Sequence, residues 1–320
     1  MAQLLDAWLA DAKGRLSPVT VAGYSHSIET YLPNRSAPSD CPGSAFEIST
    51  SCTDPSRRPG RSPYVIRQAH AAMRAALTQG WRWGWVSSNF ATLARPSPIP
   101  KTPVKAPSTA QVRKLVTAAE KTDPQLATMT LIGALTGLRR GELCGLRWSD
   151  VDLVDGMMHV QRAWVIAAGK AHLKTPKTGD DRRVTLDELA LATLSVLWEL
   201  QKAAAAELGV ELPDDGWLLS KDGMGFDPRN PDKMGRQVAA IAKDAGLKIH
   251  LHQLRHYGAT ELEAAGVPIR TIAGRLGHAD PALTLRVYSH QVEERDREAA
   301  AILGRALTPK KAKPPCSPNN

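Results

Sequence analysis

His252 and Arg255 stand at i and i+3 in His252-Gln253-Leu254-Arg255-His256, His278 closes Leu276-Gly277-His278, and Tyr288 follows. Together these groups suit attack on a phosphodiester without a metal. A phosphate under attack gathers negative charge on its non-bridging oxygens, which a planar guanidinium binds bidentately. Imidazoles donate further hydrogen bonds or move protons, and a tyrosine hydroxyl supplies a nucleophile that stays covalently attached. Each group taken singly also has an ordinary structural use: a tyrosine packed at a helix end, a capping His, an exposed Arg.

Upstream, Thr136-Gly137-Leu138-Arg139-Arg140-Gly141-Glu142-Leu143 sets two arginines and a glutamate just after an apolar stretch, with glycines that let the chain turn tightly. Lys177 lies in the polar turn Lys177-Thr178-Gly179-Asp180, and Lys170 and Lys174 precede it as other candidate cations. The order Arg139, Lys177, His252-Gln253-Leu254-Arg255, Leu276-Gly277-His278, Tyr288 resembles the tyrosine recombinase (phage integrase) family in every motif over roughly residues 108 to 300. Tyr64-Val65-Ile66-Arg67 and Trp81-Arg82-Trp83-Gly84-Trp85 are also similar to that family's core-binding domain, though less specifically.

The resemblance implies site-specific DNA recombination. Tyr288 would attack the scissile phosphate of duplex DNA, forming a 3′-phosphotyrosyl link and releasing a 5′-hydroxyl. Arg139 and Arg255 would clamp the non-bridging oxygens, Lys177 would protonate the leaving oxygen, His252 would help move the tyrosine proton, and His278 would donate to the phosphate. Glu142 is expected to orient Arg139 and to do no chemistry, while His256 reads as a helix cap or core residue. No cofactor or metal is expected. The partners implied are double-stranded attachment or recombination sites and further copies of the chain in a tetramer on DNA, with accessory DNA-bending or directionality factors as additional candidates. Two alternatives share much of this pattern: a type IB-like topoisomerase, and a relic that binds DNA without recombining it.

These residues need a scaffold, and the rest of the chain supplies one. With 320 residues, 42% hydrophobic and 23% charged, there is enough sequence for two domains. A net charge of +9 and a pI near 9.5 favour a polyanionic partner, although charge alone suits RNA, DNA or an acidic membrane surface equally. No apolar run is long enough to span a bilayer and no signal peptide is visible, so a cytoplasmic location is expected. Cys41, Cys52, Cys144 and Cys316 show no metal-binding spacing and are expected to be reduced thiols.

The fold class expected is mainly α with a small antiparallel β-meander. A helical core-binding domain over 1–94 is followed by a Pro-rich linker over 95–107, a catalytic domain over 108–308 and a basic, disordered tail over 309–320. In the first domain, helices are predicted around Leu4–Leu9, from Pro18 to about Tyr31 and from Pro63 through Leu77. No arm-site-binding domain of the type many integrases carry is expected before them. Residues 33–61, rich in Pro, Ser and Arg, read as an irregular insertion or as a stretch translated out of its ancestral frame, with codon-phase statistics able to separate the two. The linker carries Pro96, Pro98, Pro100, Pro103 and Pro107, which exclude a helix.

In the second domain, Ser108 and Gln111 form a capping box for a helix through Glu120, and an apolar helix runs from about Gln125 to Thr136. Residues 157–186 read as a three-stranded meander with turns at Gly169-Lys170 and Lys177–Asp180. Asp187 caps a long helix carrying Leu189, Val196, Leu197 and Leu200, and Gly209 stops it. Pro268 starts and Gly277 ends a short helix, and Asp280-Pro281 starts the helix of Tyr288. A helix over Gln291–Leu303 is expected to pack on a neighbouring copy or on its own domain.

Overall fold

The computed structural model describes residues 1–31, 62–96, 98–99, 105–174, 181–213 and 215–277. The irregular segment 33–61, linker residues 97 and 100–104, Lys177 with its turn, and everything from His278 onward, including Tyr288, the Gln291–Leu303 helix and the basic tail, lie outside these residues.

The described residues are mainly helical, with two large buried clusters and a small third one of Ala259, Ile272 and Leu276. The first is built by α1 (Ala2–Arg15), α2 (Pro18–Tyr31) and α3 (Pro63–Arg82). Leu4, Leu5, Trp8 and Ala12 recur along one face of α1 and meet Ile28 of α2 and Met73, Ala76 and Leu77 of α3, as helical periodicity requires. Ser62 caps α3, its side chain accepting from Val65 N–H, and Pro63 opens the first turn. The helix runs past Leu77 to Arg82, so Trp81-Arg82 forms its last turn.

The second cluster is larger and begins at α4 (Thr109–Glu120). Its capping box is complete: the Ser108 hydroxyl accepts from Gln111 N–H at 3.3 Å and the Gln111 side chain accepts from Ser108 N–H at 2.9 Å. Then α5 (Pro124–Thr136) is buried on almost every side, which explains why its sequence is apolar all round. Short α6 (Arg140–Cys144) follows, then strands and the helices α7 (Glu188–Glu207), α8 (Pro231–Asp244), α9 (Leu251–Ala264) and α10 (Ile269–Leu276).

The strands correct the expected meander. β1 (Val151–Asp152), β2 (Met157–Val160) and β5 (Arg182–Thr185) form one antiparallel sheet in the order β1-β2-β5, with Met158 opposite Val184 and Val160 opposite Arg182. β3 (Ala163–Ala167) and β4 (Lys170–Lys174) form a separate hairpin. The break falls at Gln161-Arg162, and buried Asp150 holds it there. Its carboxylate accepts from Gln161 Nε2 at 2.6 Å and pairs with Arg162 at 3.2 Å, so the chain leaves the first sheet before β3 begins. The hairpin turn is Ala168-Gly169, both at positive φ, one residue earlier than the expected Gly169-Lys170.

Asp187 caps α7 as expected, accepting from Ala190 N–H at 3.0 Å. The buried face of α7 is Ala190, Leu194, Leu197, Gln201 and Ala205, whereas Leu189, Val196 and Leu200 are exposed. Among the described residues no helix is long and apolar enough to cross a membrane.

Candidate functional site

The site gathers where the end of α5, the start of α6, one face of α9 and the end of α10 meet β5. α5 ends at Gly137, whose φ of +67° is a left-handed conformation that other residues adopt only with strain. A Cβ there would also fall 2.3 Å from Leu276 Cδ2. Glycine therefore lets the α5 end and α10 approach, and the chain turns directly into Arg139.

Arg139 precedes α6, and Glu142 at the third helical position holds it twice. Glu142 Oε2 accepts from Arg139 backbone N–H at 2.8 Å and Oε1 accepts from Nη1 at 2.8 Å. Arg139 Nη2 donates to Gly277 O at 2.8 Å, so the guanidinium is fixed from two sides while the side chain stays 46% exposed. On the other side of Glu142, Arg182 of β5 donates from Nη1 at 3.2 Å and Nη2 at 2.9 Å. Burial opposes the charge on Glu142, but the bonds and charge of Arg182, with those of Arg139, hold its carboxyl below its ordinary value. The Glu142 carboxylate is thus ionised and shared between two guanidiniums.

From α9 come His252 and Arg255, at i and i+3. Arg255 is buried, 4% exposed, and its Nη1 donates to Gly137 O at 2.6 Å, tying α9 to the turn before Arg139. His252 lies at the rim, its ring edge-on to that of His256 with centroids 5.0 Å apart. His256 sits in the middle of α9 and is half-buried, so it is neither the helix cap nor the core residue expected from sequence. His250 takes the N-cap position, its backbone N–H donating to Gln253 Oε1 at 2.8 Å.

His252 has its pKa lowered by partial desolvation, then by the charges of Arg255 and Arg139. That influence of both guanidiniums identifies one electropositive locus. Because the folded-state pKa lies below the unfolded one, the unfolded chain binds more protons as pH falls through the ordinary histidine range near 6.5, and His252 then disfavours folding. The expected NMR titration of the ring has a midpoint below 6.5. A midpoint at or above 6.5 would show that the two arginines do not act on this ring.

α10 closes the site. Ile272, Ala273 and Leu276 bury its apolar face, and Gly277 ends it at φ +67°, as its sequence predicts. The Arg182 guanidinium lies directly against Gly277, so an added Cβ would fall 2.6 Å from Nη1. Gly277→Ala is expected to lower stability by roughly 1–2 kcal/mol from the left-handed backbone alone, with displacement of Arg182 in addition. Urea unfolding of the variant checks this, and an unchanged midpoint would contradict the packing described.

Of the residues expected from sequence, the structure brings together Arg139, Glu142, His252 and Arg255, with Gly277 of the Leu276-Gly277-His278 motif touching Arg139. Lys177, His278 and Tyr288 lie outside the described residues. Sequence reading missed Arg182 and Arg275. Arg275 Nη2 donates to Leu135 O at 3.0 Å and Thr185 O at 3.1 Å, stitching α10 to α5 and β5. A signal for Arg182 existed: strand alternation puts it on the same face as buried Val184, where a cation requires a partner. Arg139 and Arg182 share the single carboxylate of Glu142, and Arg255 is held on Gly137 O two residues before Arg139, so the half-exposed Arg139 with Arg255 is suited to bind an anion and to stabilise charge developing on a phosphoryl group.

The chain resembles known proteins over the same region. The model of the phage integrase family matches residues 108–295. The ICEBs1 integrase of Bacillus subtilis is 30% identical over 193 residues, 59% of this chain, and the match spans only about half, 51%, of that protein. The tyrosine recombinase XerA of Pyrococcus horikoshii is 29% identical over 239 residues, covering 75% of this chain and 74% of that one. Among solved structures, the Tn1549 transposon integrase in complex with a circular intermediate DNA superposes with a TM-score of 0.75 at 20% identity, covering 94% of this chain and 98% of that chain. Since the family match takes in more than half of the sequence, this chain belongs to the phage integrase family.

Proposed function

We propose that this protein is a site-specific tyrosine recombinase that cuts and rejoins duplex DNA through a covalent bond to Tyr288. The observation that carries the reading is Arg139 fixed by Glu142 and reaching Gly277, the residue before His278, with Arg255 tied to Gly137 just before Arg139 and His252 one turn from Arg255 on the same helix. In the proposed step, Tyr288 Oη attacks the scissile phosphorus while its proton moves toward His252. The 5′-oxygen leaves with a proton from Lys177, and the phosphate remains joined to tyrosine and, through the 3′-oxygen, to the upstream part of the cut strand. Attack by the 5′-hydroxyl of a partner strand reverses the sequence, so the bond energy is retained. Arg139, Arg255 and His278 bear on the non-bridging oxygens, and Glu142 orients Arg139.

Around this chemistry, the first buried cluster belongs to a core-binding domain over 1–94 and the second to a catalytic domain over 108–308, joined by the Pro-rich linker. The two close on the duplex as a clamp, in a homotetramer during strand exchange and in the cytoplasm, where accessory DNA-bending or directionality factors would also act. The positive net charge supports the electrostatic part of duplex binding. The deciding experiment incubates the protein with a nicked suicide duplex carrying its attachment site, then maps the adduct by peptide mass. The expected adduct is on the tryptic peptide Val287–Arg295, at Tyr288. Duplex binding without any adduct, or an adduct on another residue, would overturn the reading.

A further inference from the structure

Arg182 closes a ring of contacts that no residue of the recombinase motif set accounts for. From β5, its Nη1 and Nη2 donate to the two oxygens of Glu142 at 3.2 and 2.9 Å, and its Nε donates to Arg275 O at 2.8 Å. Its guanidinium faces Gly277, and Gly277 O accepts from Arg139 Nη2 at 2.8 Å. Arg139 returns to Glu142 through Nη1 at 2.8 Å. The ring therefore runs Arg139, Glu142, Arg182, the end of α10, and back to Arg139. Arg182 is 10% exposed in its side chain and Glu142 11%, whereas Arg139 is 46% exposed. The inner guanidinium is committed to protein partners and the outer one faces the solvent side of the site.

We propose that Arg182 is a positioning residue for strand cleavage. It holds Glu142 and the C-terminal turn of α10 in one frame, and through them sets the direction of the Arg139 guanidinium and the starting point of the chain that continues into His278. Only an arginine spans this frame. Its planar fork meets both carboxylate oxygens while the Nε–H, pointing along another edge, reaches Arg275 O; a lysine ammonium carries the charge without that geometry. The inference rests on the recombinase reading above, because Arg139 must act on a phosphate for its direction to matter.

The test compares Arg182→Gln and Arg182→Lys with wild type in first-strand cleavage on the suicide duplex, with duplex affinity measured separately. Misdirecting a phosphate clamp is expected to slow cleavage on the order of 10–100-fold while affinity stays within a few-fold, with Arg182→Lys recovering only a small part of the rate. The discriminating readout is a duplex whose scissile phosphate carries a neutral methylphosphonate. With no charge on that oxygen, the clamp has less to do, so the Arg182→Gln defect should shrink, as should that of Arg139→Ala. A defect of equal size on both substrates means that Arg182 is merely structural and overturns the proposal, as does wild-type cleavage by Arg182→Gln. Should Arg182→Gln fail to fold, Arg182→Lys, which keeps a cation beside Glu142, carries the same two-substrate comparison. If wild type itself forms no adduct, the recombinase reading fails; if wild type cleaves and the Arg182 variants cleave equally well, only this inference falls.

Discussion

Glu142→Ala is expected to destabilise the protein by about 3–5 kcal/mol and, in whatever fraction remains folded, to slow strand cleavage by at least the amount expected for Arg182 variants. The stability loss follows from what is left behind. Arg182 and Glu142 have side chains only 10% and 11% exposed, so removing the carboxylate strands a buried cation, leaving its Nε–H on Arg275 O but its two Nη groups without the acceptor they shared. The sign with pH is also set. Burial raises the energy of the Glu142 anion, but Arg182 and Arg139 more than compensate, so its folded-state pKa lies below the ordinary value of 4.5. A depressed carboxylate contributes stability that is present above 4.5 and lost as pH falls through the folded-state value. Urea unfolding of wild type and Glu142→Ala at pH 7 should therefore show a gap that narrows on acidification below 4.5. Equal midpoints at pH 7 would mean that the Arg139–Glu142–Arg182 network contributes nothing to folding.

What the sequence disclosed follows from how far each signal reaches along the chain. Ser108 with Gln111, Asp187 before α7 and Gly277 after α10 were all readable, because a cap or a left-handed stop is decided by residues within one turn. The same holds for the pairing of His252 with Arg255, since a spacing of three fixes a common helix face. The strand order was not readable. It depends on Asp150 seizing Gln161 and Arg162 and so ending β2, a contact between residues that no periodicity links. The buried face of α7 was obscured in a similar way. Gln201 lies inside because its Oε1 accepts from Trp148 Nε1 at 2.7 Å and its Nε2 donates to Leu218 O at 3.0 Å, while Leu189, Val196 and Leu200 face outward. The polar residue displaces leucines from the core because its hydrogen bonds are satisfied there. At the site, the residues proposed to bear on phosphate stood out by type and order. Those that hold them, Arg182 and Arg275, use backbone carbonyls of distant elements and leave a fainter trace.

Arg255→Ala should lower the rate of strand cleavage by on the order of 10²–10³-fold, the loss typical when one preorganised donor to a developing oxyanion is removed. Arg255 is the more deeply held of the two proposed clamp residues, 4% exposed and donating to Gly137 O at 2.6 Å, so its direction is built in before DNA arrives. Arg255→Lys should recover part of the rate, because the charge remains and the fork does not. Duplex affinity should fall less than the rate, and the slope of log K against log salt should weaken by about 0.9, the amount for one phosphate contact. A second consequence involves His252. The charge of Arg255 helps to hold the His252 pKa down, so Arg255→Ala should move the ring's titration midpoint upward, toward 6.5. The base form of His252 would then be lost at a higher pH, and the acidic limb of the cleavage profile should move in the same direction. Cleavage within about threefold of wild type would remove Arg255 from the clamp. A slowed reaction whose acidic limb does not move would instead separate the two side chains: Arg255 would still act on the phosphate, and the group that loses its proton on that limb would have to be one other than His252.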